Sequence, residues 1–226
     1  MPSIFVEYLP NLTVYWQEFL TSIKETLIMM GVAGIISFIF GLLFGIVLVI
    51  TKEGGILQNR LINFIIDKIV NIFRSIPFVI MLALIQPFSR IIVGTSIGLK
   101  GAMVPIVVGC IPFFIRQVDM ALSDLDKGLI EAAQAIGASP LEIIYRVYLK
   151  ESIPSLARST TITLISLLGL TAMGGAVGGG GLGSFVIRYG YNRFMGDITI
   201  VSVIVILIIV SIIQFIGDFI VKKTTH

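Results

Sequence analysis

The residues in this chain that could do chemistry fall into a few groups, and none has the spacing of a catalytic site. Gly178-Gly179-Gly180-Gly181-Leu182-Gly183 contains the letters GxGxxG, which cradle a pyrophosphate when they join a strand to a helix. Here they follow an apolar run with no strand pattern ahead of them, so a chance match is expected. No GxxxxGK(S/T) phosphate loop occurs, so the chain is not expected to hold ATP itself. The single histidine, His226, ends the chain, which argues against a histidine metal site or proton relay. The single cysteine, Cys110, lies in an apolar run and reads as a buried, inert thiol.

Two polar stripes carry more information. Ser152, Ser155, Ser159, Thr163 and Ser166 recur at helical spacing, and their face continues to Leu170 and Met173. One reading is a helix lining a solute path, with Met173 as a flexible apolar plug. The other is close helix packing through small residues whose hydroxyls bond back to their own backbone. The second stripe, Arg60, Asn63, Asp67, Asn71 and Arg74, is spaced by three or four and faces one way. Ionisable groups at membrane depth are costly and rarely face lipid. The stripe reads as a structural network joining Asp67 to Arg74 through Asn71, or as the wall of a hydrated vestibule. Asp218 is expected to pair locally with Lys222, and Gly41 with Gly45 forms a small-xxx-small step suited to tight helix packing.

These stripes must sit on membrane helices. The chain is 56% hydrophobic and 13% charged, with a mean hydropathy of +1.03, whereas soluble domains are about a quarter charged. Runs of around 20 apolar residues are long enough to cross about 30 Å of hydrocarbon. Five spans are expected, at about 27–50, 61–87, 102–116, 153–177 and 198–221, in one transmembrane domain covering 1–226. The second must bend at Pro77, which lacks an amide donor. Met1–Thr26 has no basic start, so no secretory signal is expected. Lys52, Arg60, Lys127, Arg146, Lys150, Lys222 and Lys223 outnumber Lys24, Arg90, Lys100, Arg188 and Arg193 on the other side, which favours an N-terminus outside and a C-terminus inside. The net charge of +3 is therefore read as membrane topology, with no nucleic-acid partner. An odd span number argues against two similar halves in one chain, so a symmetric path needs a second copy.

The polar loop at about 119–151 is the sharpest signal. Asp124 or Asp126 can cap a helix that runs to about Ile136. Gly137 suits a left-handed stop. Ser139-Pro140 with Glu142 can start a second helix. A short exposed helix with small residues at Ala132, Ala133 and Ala135 fits a groove in a partner, or serves as a plain amphipathic connector.

The spacing Glu131-Ala132-Ala133-x3-Gly137 resembles the EAA motif of ATP-binding-cassette importer permeases. The motif's tail, I-x-L-P, falls on Val147, Leu149 and Lys150, so lysine stands where proline is expected. Asn71-Ile-Phe-Arg-Ser-Ile-Pro77-Phe, Ile91-Ile-Val-Gly-Thr-Ser-Ile-Gly98-Leu, Ile162-Thr-Leu-Ile165 and Ala172-Met-Gly-Gly-Ala-Val-Gly178 are similar to the permease subunit of methionine importers. That resemblance implies an all-α polytopic protein of type I importer architecture in a bacterial cytoplasmic membrane. It implies a homodimer with two ATPase subunits, which hold ATP and Mg, and an extracytoplasmic methionine-binding lipoprotein. The chain itself would bind no cofactor and catalyse nothing. Glu131, Ala132, Ala133, Gly137, Ala138 and Pro140 would belong to the loop that couples to the ATPase. Met173 would narrow the path, with Ser159, Thr163 and Ser166 along it. Two rivals stay open. One is a permease for another amino acid or small peptide. The other is an ion-coupled secondary transporter, which would need an intramembrane acid chain that only Asp67 and Asp218 approach.

Overall fold

The computed structural model describes residues 8–225, so His226 and the first seven residues of the N-terminal stretch lie outside the described residues. The described chain is helical, in the order α1 (Pro10–Val14), α2 (Trp16–Thr51), α3 (Arg60–Ser75), α4 (Phe78–Val93), α5 (Gly98–Ser123), α6 (Lys127–Ala135), α7 (Pro140–Ile143), α8 (Ile153–Ala176), α9 (Gly181–Phe185) and α10 (Gly196–Thr224). Ile144–Leu149 and Val186–Tyr191 are π-helical turns.

Helices α2, α5, α8 and α10 are each long and apolar enough to cross a membrane, and α3 with α4 makes a fifth if the broken pair is one span. α8 and α10 lie within a few residues of the expected spans. α2 is longer, because Trp16–Thr26 continues the helix through residues too polar to read as a span. At 1.5 Å per residue its 36 residues reach about 54 Å. The expected second span is broken rather than bent, and the chain turns by 108° between α3 and α4. The ring of Pro77 disfavours the helical conformation at the residue before it, and Ile76 is extended at φ −82°, ψ 121°. α5 is also longer than expected and passes through Pro105 and Pro112 without ending.

The helices build two compact units, each assembled from three chain segments. The first takes in the chain up to Ile35, with Pro77–Val108 and Leu164–Ile213. Its core packs Leu12, Phe19, Leu182, Phe185, Tyr189 and Ile198. At its edge Asp197 receives the amides of Asn11 and Leu12 at 3.0 and 3.1 Å and the side-chain amide of Asn11 at 3.0 Å. The polar residues of Trp16–Thr26 find partners here: Glu18 accepts from Tyr189 and pairs with Arg188 at 2.8 Å. Glu18 also raises the Tyr189 phenol above its usual range, since a proton shared with a carboxylate is harder to lose.

The second unit takes in Ile36–Ile76, Gly109–Thr163 and the chain from Gln214. Its core packs Val49, Ile50, Phe114, Val118, Leu122, Ile143, Ile144 and Tyr148. Burying a side chain the size of Phe114 stabilises the fold by about 1.5–3 kcal/mol. Gly41 and Gly45 let α2 approach α5 as the small-xxx-small reading expects. A Cβ at Gly41 would collide with Phe114, and one at Gly45 would lie 2.6 Å from Val118 Cβ.

Candidate functional site

The 127–143 loop is built from local signals. Asp126, rather than Asp124, caps α6 by accepting the Gly128 amide at 2.8 Å. Gly137 sits at φ +80°, a conformation costing L side chains roughly 1–2 kcal/mol. There the amides of Gly137 and Ala138 donate to Gln134 and Ala133 at 3.0 and 3.1 Å, closing the helix end. α7 opens with a capping box: the Ser139 amide donates to Glu142 Oε2 at 2.9 Å, and the Glu142 amide donates to Ser139 Oγ at 3.4 Å. Those bonds hold the fully exposed Glu142 carboxyl below its ordinary range. Pro140 occupies the first turn. Ala133 and Ala138 pack against the second unit's core, while Glu131, Ala132, Gly137 and Pro140 face outward. The chain leaves the loop through the π-helical turn. Lys150 continues it in helical conformation at φ −68°, ψ −48°, so the site of the expected proline holds no kink.

The second stripe forms a network with a different cation. Arg116 on α5, not Arg74, meets the acid of α3. Arg116 Nη2 lies 2.7 Å from Asp67 Oδ1 and donates to Asn71 Oδ1 at 2.9 Å, and Nη1 lies 2.9 Å from Asp119 Oδ2. Asn71 donates to Asp67 Oδ2 at 2.9 Å. Arg74, one turn beyond Asn71, is exposed and makes no ion pair among the described residues. Arg74 lies seven residues from Asp67, about two helical turns along α3, and the cation that meets the carboxylate comes from α5. Asn63 donates to the Leu48 carbonyl at 2.7 Å, which ties α3 to α2. Asp218 and Lys222 form no ion pair in the structure, against expectation; both are exposed on α10.

The hydroxyl stripe of α8 divides. Ser159 is buried and donates to the Gln117 carbonyl at 3.2 Å. Thr163 is buried and bonds back to the Ser159 carbonyl at 2.7 Å. Both hydroxyls serve packing in this chain. Ser166 is half-buried. Met173 is 47% exposed, in register with exposed Ile162 and Gly169. The open face of α8 is thus displaced from the hydroxyl stripe and meets it only near Ser166.

Among the described residues the glycine run does not form the strand-turn-helix cradle of a dinucleotide site. Gly178, Gly180 and Gly181 all have positive φ, and α9 begins there. Its first amides are already taken: Gly181 donates to Glu25 Oε2 at 2.7 Å and Leu182 to Thr26 Oγ1 at 2.8 Å. A carboxylate of the protein occupies the place where a phosphate would bind. Among the described residues there is no strand and no acid, cysteine or histidine cluster suited to a metal.

Comparison with known proteins agrees with this geometry. Residues 37–224 match the family model described as the inner membrane component of binding-protein-dependent transport systems. The chain belongs to this family of permeases. The permease is 44% identical over 207 residues, 92% of each chain, to the probable D-methionine transport system permease protein MetI of Vibrio cholerae. It is 42% identical over 219 residues, 96% of this chain and 97% of the other, to the methionine import system permease protein MetP of Bacillus subtilis. A solved structure of the MetNI methionine ABC transporter in an inward-facing conformation contains a chain that superposes with a TM-score of 0.89 at 43% identity, covering all of both chains.

Three residues of this permease escaped the reading of its sequence. Arg116 is the last residue of the expected span at about 102–116, and only folding brings it to Asp67. Glu25 caps a helix 156 residues away, for which no local pattern exists. Ile136 did carry a signal, an isoleucine just before the Gly137 stop. It is 84% exposed, beside exposed Leu141 and Tyr145, so the loop presents an apolar tip as well as alanines.

Proposed function

We propose that this permease is the membrane-spanning subunit of an ATP-driven methionine importer and works as a homodimer. Two ATPase subunits, which hold ATP and Mg, receive the 127–143 loops, and an extracytoplasmic methionine-binding lipoprotein delivers the substrate. The N-terminus lies outside and the C-terminus, with Lys222 and Lys223 in the last turn of α10, in the cytoplasm. The observation that carries this reading is the rigid, outward-facing α6–Gly137–α7 loop seated on the second unit's core, in a chain whose relatives named above are methionine permeases. ATP binding closes the ATPases, the loops move with them, and the permease shifts between two arrangements of packed helices. ATP favours one arrangement only through its differential affinity for it. Loss of the loop's seat would therefore separate hydrolysis from transport.

The reading is tested with the reconstituted complex of permease, ATPase and binding protein in proteoliposomes. Labelled methionine accumulates only with ATP, and excess unlabelled methionine competes where other amino acids do not. Uptake that ignores ATP, or that other amino acids abolish more effectively, overturns it.

A further inference from the structure

Met173, the candidate gate residue, is followed by a stretch with little of its own to hold it in place. Six of the eight residues from Gly174 to Gly181 are glycines, which lose the most backbone freedom on ordering and bring no side chains to pack. The Gly98 amide holds the middle of the stretch by donating to the Gly178 carbonyl at 3.1 Å. Its end is held from α2. Glu25 Oε2 accepts the Gly181 amide at 2.7 Å, and Thr26 Oγ1 accepts the Leu182 amide at 2.8 Å. A Cβ at Gly181 would lie 2.7 Å from Met29 Cε and 2.8 Å from Thr26 Oγ1, so the start of α9 rests directly on α2. Of the two acceptors Glu25 is the charged one, and a charge-assisted hydrogen bond is roughly twice as strong as a neutral one.

From α9 the contact passes to the end of α8 without slack. A Cβ at Gly183 would collide with the Ala172 carbonyl, and one at Gly175 would collide with the Ser184 amide. The last turn of α8 and the first turn of α9 therefore touch backbone to backbone, at the residue before Met173 and two residues after it. Gly174 faces α5, where an added Cβ would lie 3.2 Å from Ile106 Cδ1. Contacts between backbones have no rotamers with which to absorb a displacement, and close packing transmits it. We infer that Glu25 is a positioning residue for the gate: acting through α9, its carboxylate sets where Met173 stands. The inference deepens the methionine-importer reading and rests on it, with Met173 as the narrow point of the path.

The experiment uses the complete complex of permease, ATPase and binding protein, without nucleotide. In a Met173→Cys parent, Cys110 being buried, the rate at which a maleimide labels the permease reports where residue 173 stands. Adding Glu25→Ala is expected to raise that rate about tenfold, a shift of about 1.4 kcal/mol. With Met173 in place, Glu25→Ala is expected to speed the efflux of preloaded methionine by about the same factor. Glu25→Gln keeps an uncharged acceptor and is expected to return labelling to within about threefold of the parent. Asn11→Ala removes a bond to Asp197 elsewhere in the first unit and is expected to lower the melting temperature while labelling and efflux stay unchanged. Labelling or efflux that Glu25→Ala leaves unmoved overturns the inference. So does an equal rise in Asn11→Ala, or a Glu25→Gln complex as reactive as Glu25→Ala. If Glu25→Ala fails to assemble, Thr26→Val, which withdraws the acceptor from the Leu182 amide, decides in its place on the same two rates. A wild-type complex that takes up no methionine overturns the importer reading itself, whereas normal wild-type uptake with labelling unmoved by Glu25→Ala overturns only the role of Glu25.

Discussion

Arg116 on α5 and Asp67 on α3, 49 residues apart, meet at 2.7 Å. Their side chains are 20% and 35% exposed, so the pair lies between the exposed class, worth about 0–1 kcal/mol, and the buried class, whose breakage costs about 3–5 kcal/mol. Arg116→Leu leaves Asp67 and Asp119 facing each other unpaired and should destabilise the complex by about 1–3 kcal/mol. Arg74→Leu should change stability by no more than about 0.5 kcal/mol. Thermal unfolding in detergent compares the two. Equal losses would return Arg74 to the network.

The proposed contact of the loop with an ATPase is open to charge reversal. Glu131 is exposed and its side chain makes no hydrogen bond or ion pair among the described residues, so Glu131→Lys should insert and fold normally yet uncouple hydrolysis from uptake. Ile136→Asp places a charge on the apolar tip and should weaken ATPase association. The ratio of ATP hydrolysed to methionine transported, together with co-purification of the ATPase, reads both effects. Wild-type ratios in both variants would leave the loop as a mere connector.

Glu142 makes α7 sensitive to acid. Its carboxyl titrates below the ordinary range because the Ser139 amide and hydroxyl stabilise the charged form. The cap therefore contributes fully above the unfolded glutamate value of about 4.3 and fades as pH falls through the lower folded value. Amide-exchange protection of 137–146 should hold from neutral pH down to about 4 and drop below it. Glu142→Gln should remove that acid step.

Met173 and Ser159 should separate gate from packing. Met173→Ala, at an exposed position, should leave stability within about 0.5 kcal/mol but raise solute leakage or basal ATPase activity. Ser159→Ala deletes the bond to the Gln117 carbonyl and should cost about 1 kcal/mol with no change in leakage. Melting curves and dye-release assays on the same preparations test the pair. A leak from Ser159→Ala would restore the hydroxyl stripe to the path.

What could be read from the residues alone was whatever depends on near neighbours. α8 and α10 were legible because their apolar runs are long and uninterrupted. The loop was legible because Asp126, Gly137 and Ser139-Pro140-x-Glu142 each act within four residues of themselves. Pro77 announced a disturbance, but the size of the turn depends on Ile76 leaving the helix entirely, which the proline permits without dictating. Trp16–Thr26 looked too polar for a membrane helix, since the groups that receive Glu18, Glu25 and Thr26 lie more than 150 residues onward. Arg116 was hidden by a shorter separation, 49 residues, because spacing along one helix can nominate only partners on that helix, and it nominated Arg74.

The Asp197 clamp on Asn11 and Leu12 sets an order on biogenesis. The carboxylate is made 186 residues after the amides it receives, a gap of about 10–40 s at typical synthesis speeds. Throughout that interval the start of the chain has no permanent mooring, and the nascent protein must wait for its final helix before its beginning can settle.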